Sequence, residues 1–318
     1  MNRENNNPIN LEVAIPSSSL VNDKTLRDKT LKISKFARAF SIFGVRNVYI
    51  YKDNYFNHGN KAKIHNKKRY KFKILTEESS FLKLILEYLD TPQYLRRILY
   101  PMSPELKYAG LLEPLNSPHH MQRIKIDEIK EGDLRIGVVR NYPDNSTIFK
   151  NSSKYDIENN QRSKSRLGLK NKTNRLNSQH VDVGLDYLIP FIGERQTGQK
   201  LTVKFFGKFP NIFAQEASEK DLRKKYWGYQ VHVCQSLFDF LKKQINKKCI
   251  LLTSREGKNL KKVESNFKKI INHYNNNLLV VYGSPKKDLN EICTNISKIV
   301  DNTSGLYVNL FSEQHTKT

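Results

Sequence analysis

Apolar and polar residues follow two distinct periods in the first ninety residues of the chain. Ile33, Phe36, Ala37 and Phe40 fall at i, i+3, i+4 and i+7, which is the spacing of one helix face. Two short apolar runs rich in β-branched and aromatic residues flank that segment and predict strands. The predicted order is a strand at Leu11–Ile15, a helix at Asp28–Phe40, a strand at Val45–Tyr51 and a helix at Ser80–Asp90.

The last ninety residues repeat this alternation of short apolar runs and helical periods. The predicted elements are a strand at residues 226–233, a helix at Ser236–Ile245, a strand at Ile250–Thr253, a helix at Lys261–Ile271, and strands at Leu278–Tyr282 and Leu306–Leu310. Continuous apolar strands that alternate with helices favour a parallel sheet with right-handed crossovers. Both ends of the chain therefore predict one α/β domain.

Between Ile124 and Lys225 the sequence pattern changes to short predicted strands separated by glycine turns. The strand candidates are DLRIGVVR, HVDVGLDYLIPF and LTVKFFGK. This pattern predicts a small β-barrel, and an OB-like barrel is the common basic version that handles RNA. The sequence thus predicts an α/β fold interrupted by an inserted barrel, with boundaries at 1–123, 124–225 and 226–318.

Two polar runs, His58–Lys73 and Asn151–His180, have almost no apolar periodicity. Both are typical of solvated insertions outside a packed core. Contact with phosphate groups is one interpretation of their Lys and Asn content. Drift of the composition toward Asn and Lys in an AT-rich genome is the other, and both stay open.

Charge limits the class of partner. The 318 residues include 55 Lys and Arg against 31 Asp and Glu, a formal net charge of +24. Such an excess predicts a polyanionic partner, and nucleic acid is favoured over a membrane surface. No run of eighteen apolar residues exists, so no membrane span is predicted. The amino terminus has no apolar stretch typical of a secretory signal.

The three cysteines, Cys234, Cys249 and Cys293, lie far apart and do not form CxxC pairs. This spacing predicts reduced thiols rather than a disulfide framework. Metal binding is not predicted, because the only close histidine pair, His119–His120, has no matching Cys or His cluster.

Thr91–His120 contains five of the eleven prolines and is the most distinctive segment of the chain. Proline fixes φ and moves the preceding residue out of the helical region, so the segment is predicted to be a stiff, mostly extended connector. Aromatic rings interleaved with guanidinium and imidazole groups suit a surface for single-stranded RNA. The RNA-binding candidates are Tyr94, Arg96, Arg97, His119 and His120. An ordinary proline-rich linker between domains is the alternative.

Small polar residues follow three predicted strands of the carboxyl-terminal part. They lie at Thr253–Gly257, at Gly283–Pro285 and after Asn309. Ligands of open parallel sheets bind outside the carboxyl ends of the strands, so backbone groups of these loops are candidates for holding an adenosine-like ligand. The sequence lacks GxGxxG, GxxxxGK[ST] and GxSxG, which gives no support to a dinucleotide fold, a P-loop or a serine hydrolase.

Several motifs together resemble one family. They are AIPSSSL at Ala14–Leu20, FARAFSIFGVRNVYIY at Phe36–Tyr51, YLDTPQYLRRILYP at Tyr88–Pro101, LKYAGLLEPLNSPHH at Leu106–His120, YWGY at Tyr226–Tyr229, TSREG at Thr253–Gly257, VVYGSP at Val280–Pro285 and YVNL with TKT at Tyr307–Thr318. In these motifs the chain resembles the SPOUT-class RNA methyltransferases of archaea and eukaryotes. In that family a trefoil-knotted α/β domain carries an inserted OB-like barrel.

The resemblance implies S-adenosylmethionine-dependent methylation of RNA, with ribosomal RNA as substrate and uridine N3 as the methylated atom. It implies that residues 1–123 and 226–318 form the methyltransferase domain, that residues 124–225 bind RNA, and that the protein is a homodimer. It implies Arg38 as a catalytic group contributed across the dimer, with a surface helix cation as the alternative role. The implied cofactor contacts are Leu252, Thr253, Arg255, Gly283, Asn309, Leu310 and Thr318. His119 and His120 are candidate proton acceptors, or residues that fix the connector by hydrogen bonds.

Two departures from the family pattern occur near the end of the sequence. Asn309–Gln314 lacks the Pro-Gly turn of the pattern N-x-x-P-G-Q, and the family continues after Thr318 with R-T-E-E-A and a last helix. An incomplete knot is therefore expected, and a non-catalytic RNA-binding protein of the same fold, without a cofactor site, is the alternative function. The amino-acid sequence of the connector resembles eukaryotic members more than archaeal ones, which implies a nuclear or nucleolar protein. An archaeal member would be cytoplasmic.

Overall fold

A computed structural model gives the fold of the chain. The residues it describes are 9–53, 78–120, 125–141, 179–208, 210–223, 225–285, 287–292 and 305–309. They form two compact units. The first unit comprises Met1–Thr91, Tyr100–Pro118 and Tyr226–Thr318, and the second comprises Pro92–Leu99 and His119–Lys225.

The first unit is built on a six-stranded parallel sheet. Its strands are β1 (Asn10–Pro16), β2 (Asn47–Tyr51), β8 (Gln230–Cys234), β9 (Cys249–Asn259), β10 (Asn277–Val281) and β11 (Gly305–Asn309). The order across the sheet is β11-β9-β10-β1-β2-β8, and every neighbouring pair runs parallel. The amino- and carboxyl-terminal parts of the chain thus share one sheet, because β1 pairs with both β2 and β10.

Helices cover both faces of this sheet. They are α1 (Leu26–Ile42), α2 (residues 78–90), α5 (Leu237–Gln244), α6 (Leu260–His273) and α7 (Leu289–Ile292). Alternate strand residues pack on opposite faces, as the two-residue period of a strand requires. Val13, Ile15, Val48 and Ile50 pack with α1 and α2, whereas Ala14 and Tyr51 pack with α5 and α7 on the other face. The unit is therefore a three-layer α/β/α structure.

The second unit contains a closed five-stranded barrel. Its strands are β3 (Leu134–Asn141), β4 (Gln179–Asp182), β5 (Ile189–Ile192), β6 (Lys200–Phe206) and β7 (Phe213–Glu216), in the order β3-β4-β5-β7-β6. All neighbours are antiparallel except β5 and β7. Gly137 lies where β3 and β4 approach closely, since a Cβ atom there would come within 2.4 Å of Val181 Cγ2. The barrel carries a short helix, α4 (Glu219–Arg223), after β7.

The proline-rich connector is not mostly extended, so that part of the prediction is wrong. Helix α3 (Gln93–Leu99) begins directly after Pro92, and two 3-10 turns follow at Pro104–Leu106 and Ala109–Leu111. Proline is well tolerated before the first helical turn, where backbone N–H groups have no intrahelical acceptor, and residues 93–100 contain no further proline. Leu112 and Leu115 are buried in the core of the first unit. These two leucines anchor the second half of the connector to the core of the first unit.

The predicted mixed α/β class, the parallel sheet and the separate barrel are confirmed. Strand β9 differs from its prediction, because it continues past Thr253 to Asn259. The basic run 58–73, most of the polar run 151–180 and residues 310–318 lie outside the described residues. Gln179 and His180, at the end of the polar run, belong to β4. The knot and the assignment of functions to 1–123, 124–225 and 226–318 stay predictions.

Candidate active site at the carboxyl edge of the parallel sheet

The carboxyl ends of all six parallel strands lie at one edge of the sheet, here called the carboxyl edge. β1 is the central strand of the trio β10-β1-β2, so the residues that follow these three strands are brought together. A 3-10 turn, Ser17–Leu20, follows β1, Asp53 comes two residues after β2, and Ser284 comes three residues after β10. Ligands of open α/β sheets bind at such an edge.

Ser17, Ser18, Asp53 and Ser284 form a hydrogen-bonded group, here called the Asp53 cluster. The Ser17 hydroxyl donates to Asp53 Oδ1 at 3.0 Å and the Ser18 backbone N–H donates to the same oxygen at 3.1 Å. The Ser18 hydroxyl donates to Asp53 Oδ2. The Ser18 and Ser284 hydroxyl oxygens are 3.0 Å apart. One carboxylate thus joins the ends of three adjacent strands.

The electrostatics of the Asp53 cluster are unusual for a buried acid. Asp53 is 2% exposed, and Ser17 and Ser18 are fully buried, whereas Ser284 is partly exposed. Among the residues that the structure describes, no Lys or Arg forms an ion pair with Asp53; its hydrogen-bond donors there are two hydroxyls and one backbone amide. Among the described residues, the Asp53 carboxylate is thus held by neutral donors alone.

Tyr51 strengthens the same edge. Its hydroxyl donates to the Tyr282 carbonyl oxygen at 2.6 Å, and the Tyr282 N–H donates to the Ala14 carbonyl oxygen at 2.9 Å. Burial, and second the charge of Asp53, raise the pKa of Tyr51 well above its ordinary value, so Tyr51 stays protonated as a donor. These bonds hold the start of the Gly283 loop against β1 and β2.

Strand β9 has a wide bulge at the same edge. Leu252 pairs with Tyr307 of β11 and Lys258 pairs with the next residue, Val308, so residues 253–257 are skipped by the β11 ladder. The β10 ladder ends at Leu252 as well. Residues 253–257 therefore have no partner residue in either of the two neighbouring ladders.

The bulge is tied to the loop that follows β10. The Thr253 hydroxyl donates to the Val281 carbonyl oxygen at 3.1 Å, and the buried Ser254 hydroxyl donates to Asp288 Oδ2 at 2.6 Å. Asp288 Oδ1 in turn accepts from the Leu289 N–H at 2.9 Å at the start of α7. The first and second predicted loops therefore form one connected surface.

The structure brings part of the predicted cofactor set to this surface. Thr253 lies at the start of the bulge and Gly283 in the loop after β10. Leu252 is fully buried in the core beneath them, so its side chain supports the loops instead of lining an open wall. Arg255 lies in the bulge and Asn309 ends β11, by their backbone positions. Leu310 and Thr318 lie outside the described residues.

Arg38 lies away from the carboxyl edge of its own chain. Helix α1 begins at this edge and runs back toward the amino ends of the strands, where the Arg46 N–H donates to the Leu11 carbonyl oxygen. Twelve residues of helix separate Leu26 from Arg38, a rise of roughly 18 Å. The Arg38 side chain is 67% exposed and pairs with Glu113 at 2.9 Å. A catalytic role for Arg38 therefore requires a second copy of the chain and stays a prediction.

Tyr94, Arg96, Arg97, His119 and His120 belong to the second unit. The Tyr94 ring is not an open stacking surface: its hydroxyl donates to the Ile136 carbonyl oxygen at 2.8 Å and the guanidinium of Arg135 lies 4.7 Å from its centroid. Burial raises the pKa of Tyr94 to about 12 although Arg135 acts in the opposite direction. Arg97 is exposed, and Arg96 is partly exposed.

The histidine pair is also partly built into the fold. His119 is buried, His120 is partly exposed, and their ring centroids are 4.3 Å apart. A buried His119 suits the fixing of the connector better than contact with a large substrate. The RNA-binding role of the five residues stays a prediction, with Arg97 the one whose side chain is most open to solvent.

The Asp53 cluster was missed by the motif analysis. Its signal in the sequence is a run of serines directly after β1, an acid two residues after β2 and a serine three residues after β10, at one edge of a predicted parallel sheet. Within the described ranges, no group of three His, Cys, Asp or Glu is arranged to hold a metal ion. None of the helices in the described part of the chain is both long enough and apolar enough to cross a membrane.

Comparisons with known proteins relate the chain to RNA methyltransferases. The profile of a family described as putative RNA methyltransferase matches residues 10–318. A 28S rRNA (uridine-N(3))-methyltransferase of Drosophila melanogaster is 28% identical over 333 residues, which cover 98% of this chain and 59% of that protein. A protein of the same name from Homo sapiens is 34% identical over 137 residues, which cover 39% of this chain and 32% of that protein. The chain thus spans little more than half of the fly protein.

Proposed function

The chain belongs to the putative RNA methyltransferase family, and from this premise we propose that it methylates RNA with S-adenosylmethionine as methyl donor. We propose ribosomal RNA as the substrate and N3 of a uridine as the methylated atom, in line with the names of the fly and human relatives. The structural observation that carries the proposal is the carboxyl edge of the sheet, where the β9 bulge and the Gly283 loop present backbone groups beside a buried carboxylate.

The residues at this edge fit the proposed methyl donor. The bulge at residues 253–257 offers amide and carbonyl groups outside both ladders, which suits hydrogen bonds to adenine and ribose. Gly283 lies in the loop after β10, which the hydrogen bond from Thr253 to Val281 ties to the bulge. When bound, S-adenosylmethionine supplies an electrophilic methyl group; the chain holds it, orients it and excludes water.

Uridine N3 carries a proton that has to leave before the nitrogen can act as a nucleophile. The chain therefore has to expose the base, align N3 with the methyl group and accept the proton. An unpaired or flipped uridine gives the required access. The formal charge of +24 supports binding of the RNA backbone, and its effect is expected to weaken with salt.

The wider architecture in this proposal is a SPOUT-type knotted domain with an OB-like barrel. The parallel sheet with β9, β10 and β11 at one side and the closed barrel support it. We propose a homodimer, because Arg38 lies far along α1 from the carboxyl edge and reaches a target base only in a neighbouring chain. Action on ribosomal RNA in a eukaryote places the protein in the nucleus or nucleolus, and in an archaeon in the cytoplasm.

Calorimetry and a labelling assay test the proposal together. The chain is titrated with S-adenosylmethionine, and separately incubated with an unmodified large-subunit rRNA transcript and methyl-labelled S-adenosylmethionine. We expect saturable binding, label in the RNA, and 3-methyluridine after nuclease digestion and mass spectrometry. RNA binding without cofactor binding or label would instead favour the non-catalytic RNA-binding function. Label on another nucleoside would overturn the uridine N3 assignment alone.

A further inference from the structure

We propose that Asp53 is the proton acceptor of the reaction, and that the hydroxyl groups of Ser284 and Ser18 carry the proton to it. The inference rests on the proposed methylation of a ring nitrogen and adds the residues that remove its proton. Neither histidine of the connector is needed for that step. The relay lies wholly within the first unit of the chain.

The directions of the hydrogen bonds follow from the number of protons available. A serine hydroxyl has one proton and two lone pairs, whereas an ionised carboxylate only accepts. Because the Ser18 hydroxyl gives its proton to Asp53 Oδ2, its oxygen has to accept at the 3.0 Å contact with Ser284. Ser284 is therefore the donor of that contact. Its remaining lone pair is left to accept a proton from a ligand.

The position of Ser284 matches this role. It is the partly exposed end of a chain whose other two members, Ser18 and Asp53, are buried. It also directly follows Gly283, which the proposed function places at the methyl donor. The N3–H of uridine is a donor and requires an acceptor at that place. The cluster thus runs from the rim of the candidate site to a carboxylate beneath it.

In the proposed relay, three protons each move one step from the uridine toward Asp53. The N3–H bond breaks and its electron pair stays on N3, which becomes the nucleophile. The proton passes to the Ser284 oxygen, the original Ser284 proton passes to Ser18, and the original Ser18 proton passes to Asp53 Oδ2. Both serines end neutral and the carboxylate becomes a carboxylic acid, which later returns the proton to solvent.

The surroundings of Asp53 suit an acceptor. In the described part of the structure its partners are neutral donors, so a proton on the carboxylate leaves no cation without its partner. The bonds from Ser17 and from the Ser18 N–H both go to Oδ1, which leaves Oδ2 for the proton.

The test compares Asp53→Asn and Ser284→Ala with the wild-type chain in single-turnover labelling of the rRNA transcript at several pH values. General-base catalysis contributes roughly 10²–10⁴-fold, so D53N is expected to lose at least about 100-fold near neutral pH. Its remaining rate should rise about tenfold per pH unit, because hydroxide then has to take the proton, whereas the wild-type rate stays within about threefold between about pH 6.5 and pH 8.5. S284A should show the same change of slope.

The matched control is Asp90→Asn. Asp90 is likewise buried and accepts a backbone hydrogen bond, from the Tyr229 N–H at 3.2 Å, but it lies on α2 away from the carboxyl edge. D90N should keep the wild-type pH profile. Calorimetric affinity for S-adenosylmethionine, measured on all variants, should stay within about threefold in D53N and S284A, since neither is proposed to bind the donor.

The outcomes separate the relay from the proposed function. A wild-type chain that neither binds S-adenosylmethionine nor labels RNA overturns the proposed function and with it the relay. An active wild type with a D53N variant slowed equally at every pH, or slowed only through lost cofactor affinity, overturns the relay and leaves Asp53 as a positioning residue. A slope change in D53N and S284A but not in D90N supports the relay.

Discussion

Glu12 on β1 and Asp53 just after β2 are both buried acids of the parallel sheet, but their partners differ in charge. Glu12 is 3% exposed, accepts from Asn47 Nδ2 at 2.9 Å and forms an ion pair with Lys248. The Lys248 ammonium also lies 5.6 Å from the centroid of the Tyr49 ring. We call Glu12, Asn47, Tyr49 and Lys248 the Glu12 cluster. Asp53 is held only by neutral donors among the described residues.

The two buried acids are suited to different roles, one to the stability of the sheet and the other to the proposed reaction. In the Glu12 cluster two opposite charges and an amide satisfy one another away from the carboxyl edge, so a change in the charge of either partner leaves the other buried and unpaired. In the Asp53 cluster, a proton on the carboxylate leaves no unpaired cation. The first arrangement is expected to be rigid and fixed in charge, and the second is able to change charge during a reaction.

The largest effect on stability is expected from Lys248→Met. The substitution keeps much of the apolar stem and leaves Glu12 as a buried charge without its cation, which costs about 3–5 kcal/mol of the free energy of unfolding. Urea unfolding of the full chain, followed by circular dichroism, measures this loss. The double variant E12Q/K248M, which removes both charges, should recover most of it. A loss below about 1 kcal/mol in K248M would show that the pair contributes little.

Much of this fold follows from local patterns, but the two clusters do not. The predicted strands of the parallel sheet agree with the structure because apolar runs such as Leu278–Val281 are buried on both faces and pack against helices. Strand β9 was predicted to end at Thr253, yet β11 pairs with it again at Lys258 and Asn259. That pairing joins segments fifty residues apart and leaves no local trace.

The candidate site likewise depends on contacts between residues that are distant in sequence. Asp53 is locally an acid after a strand, and only the order β10-β1-β2 brings it to Ser18 and Ser284. The connector shows the opposite case: its five prolines dominated the prediction, although the proline-free stretch after Pro92 was long enough for helix α3. Tyr94 was predicted to stack with RNA, but its packing against Arg135 depends on barrel strands that are distant in sequence.

A smaller effect on stability is expected from Asp53→Asn than from K248M. The asparagine keeps an oxygen for the Ser18 N–H and can donate to the Ser18 hydroxyl, while the cost of burying a charge disappears. We therefore expect the free energy of unfolding to change by less than about 1.5 kcal/mol, measured in the same urea titration. A loss as large as that of K248M would mean that the Asp53 cluster also serves mainly to hold the fold together.

The smallest expected effect is a pH dependence at the rim of the Glu12 cluster. His232 stacks on Tyr49 with ring centroids 5.2 Å apart, and its Nε2 lies 3.3 Å from Asn47 Oδ1. Burial, and then the charge of Lys83, lower the pKa of His232, with Lys248 acting in the same direction and Glu12 opposing it. The unfolded chain therefore binds a proton here more readily than the folded chain.

It follows that the contribution of His232 to stability is complete above the pKa of an unfolded histidine, about 6.5, and is lost as the pH falls through that value toward the lower folded pKa. In His232→Gln, which can still bond to Asn47, stability should fall less between about pH 7.5 and pH 5 than in the wild type. Paired urea titrations at each pH give the difference directly and cancel the titration of every other group. If the free energy of unfolding changed equally with pH in the wild type and in H232Q, His232 would bind protons alike in the folded and unfolded chain. The fixed charge of the Glu12 cluster would then not extend beyond Asn47 and Tyr49 to His232.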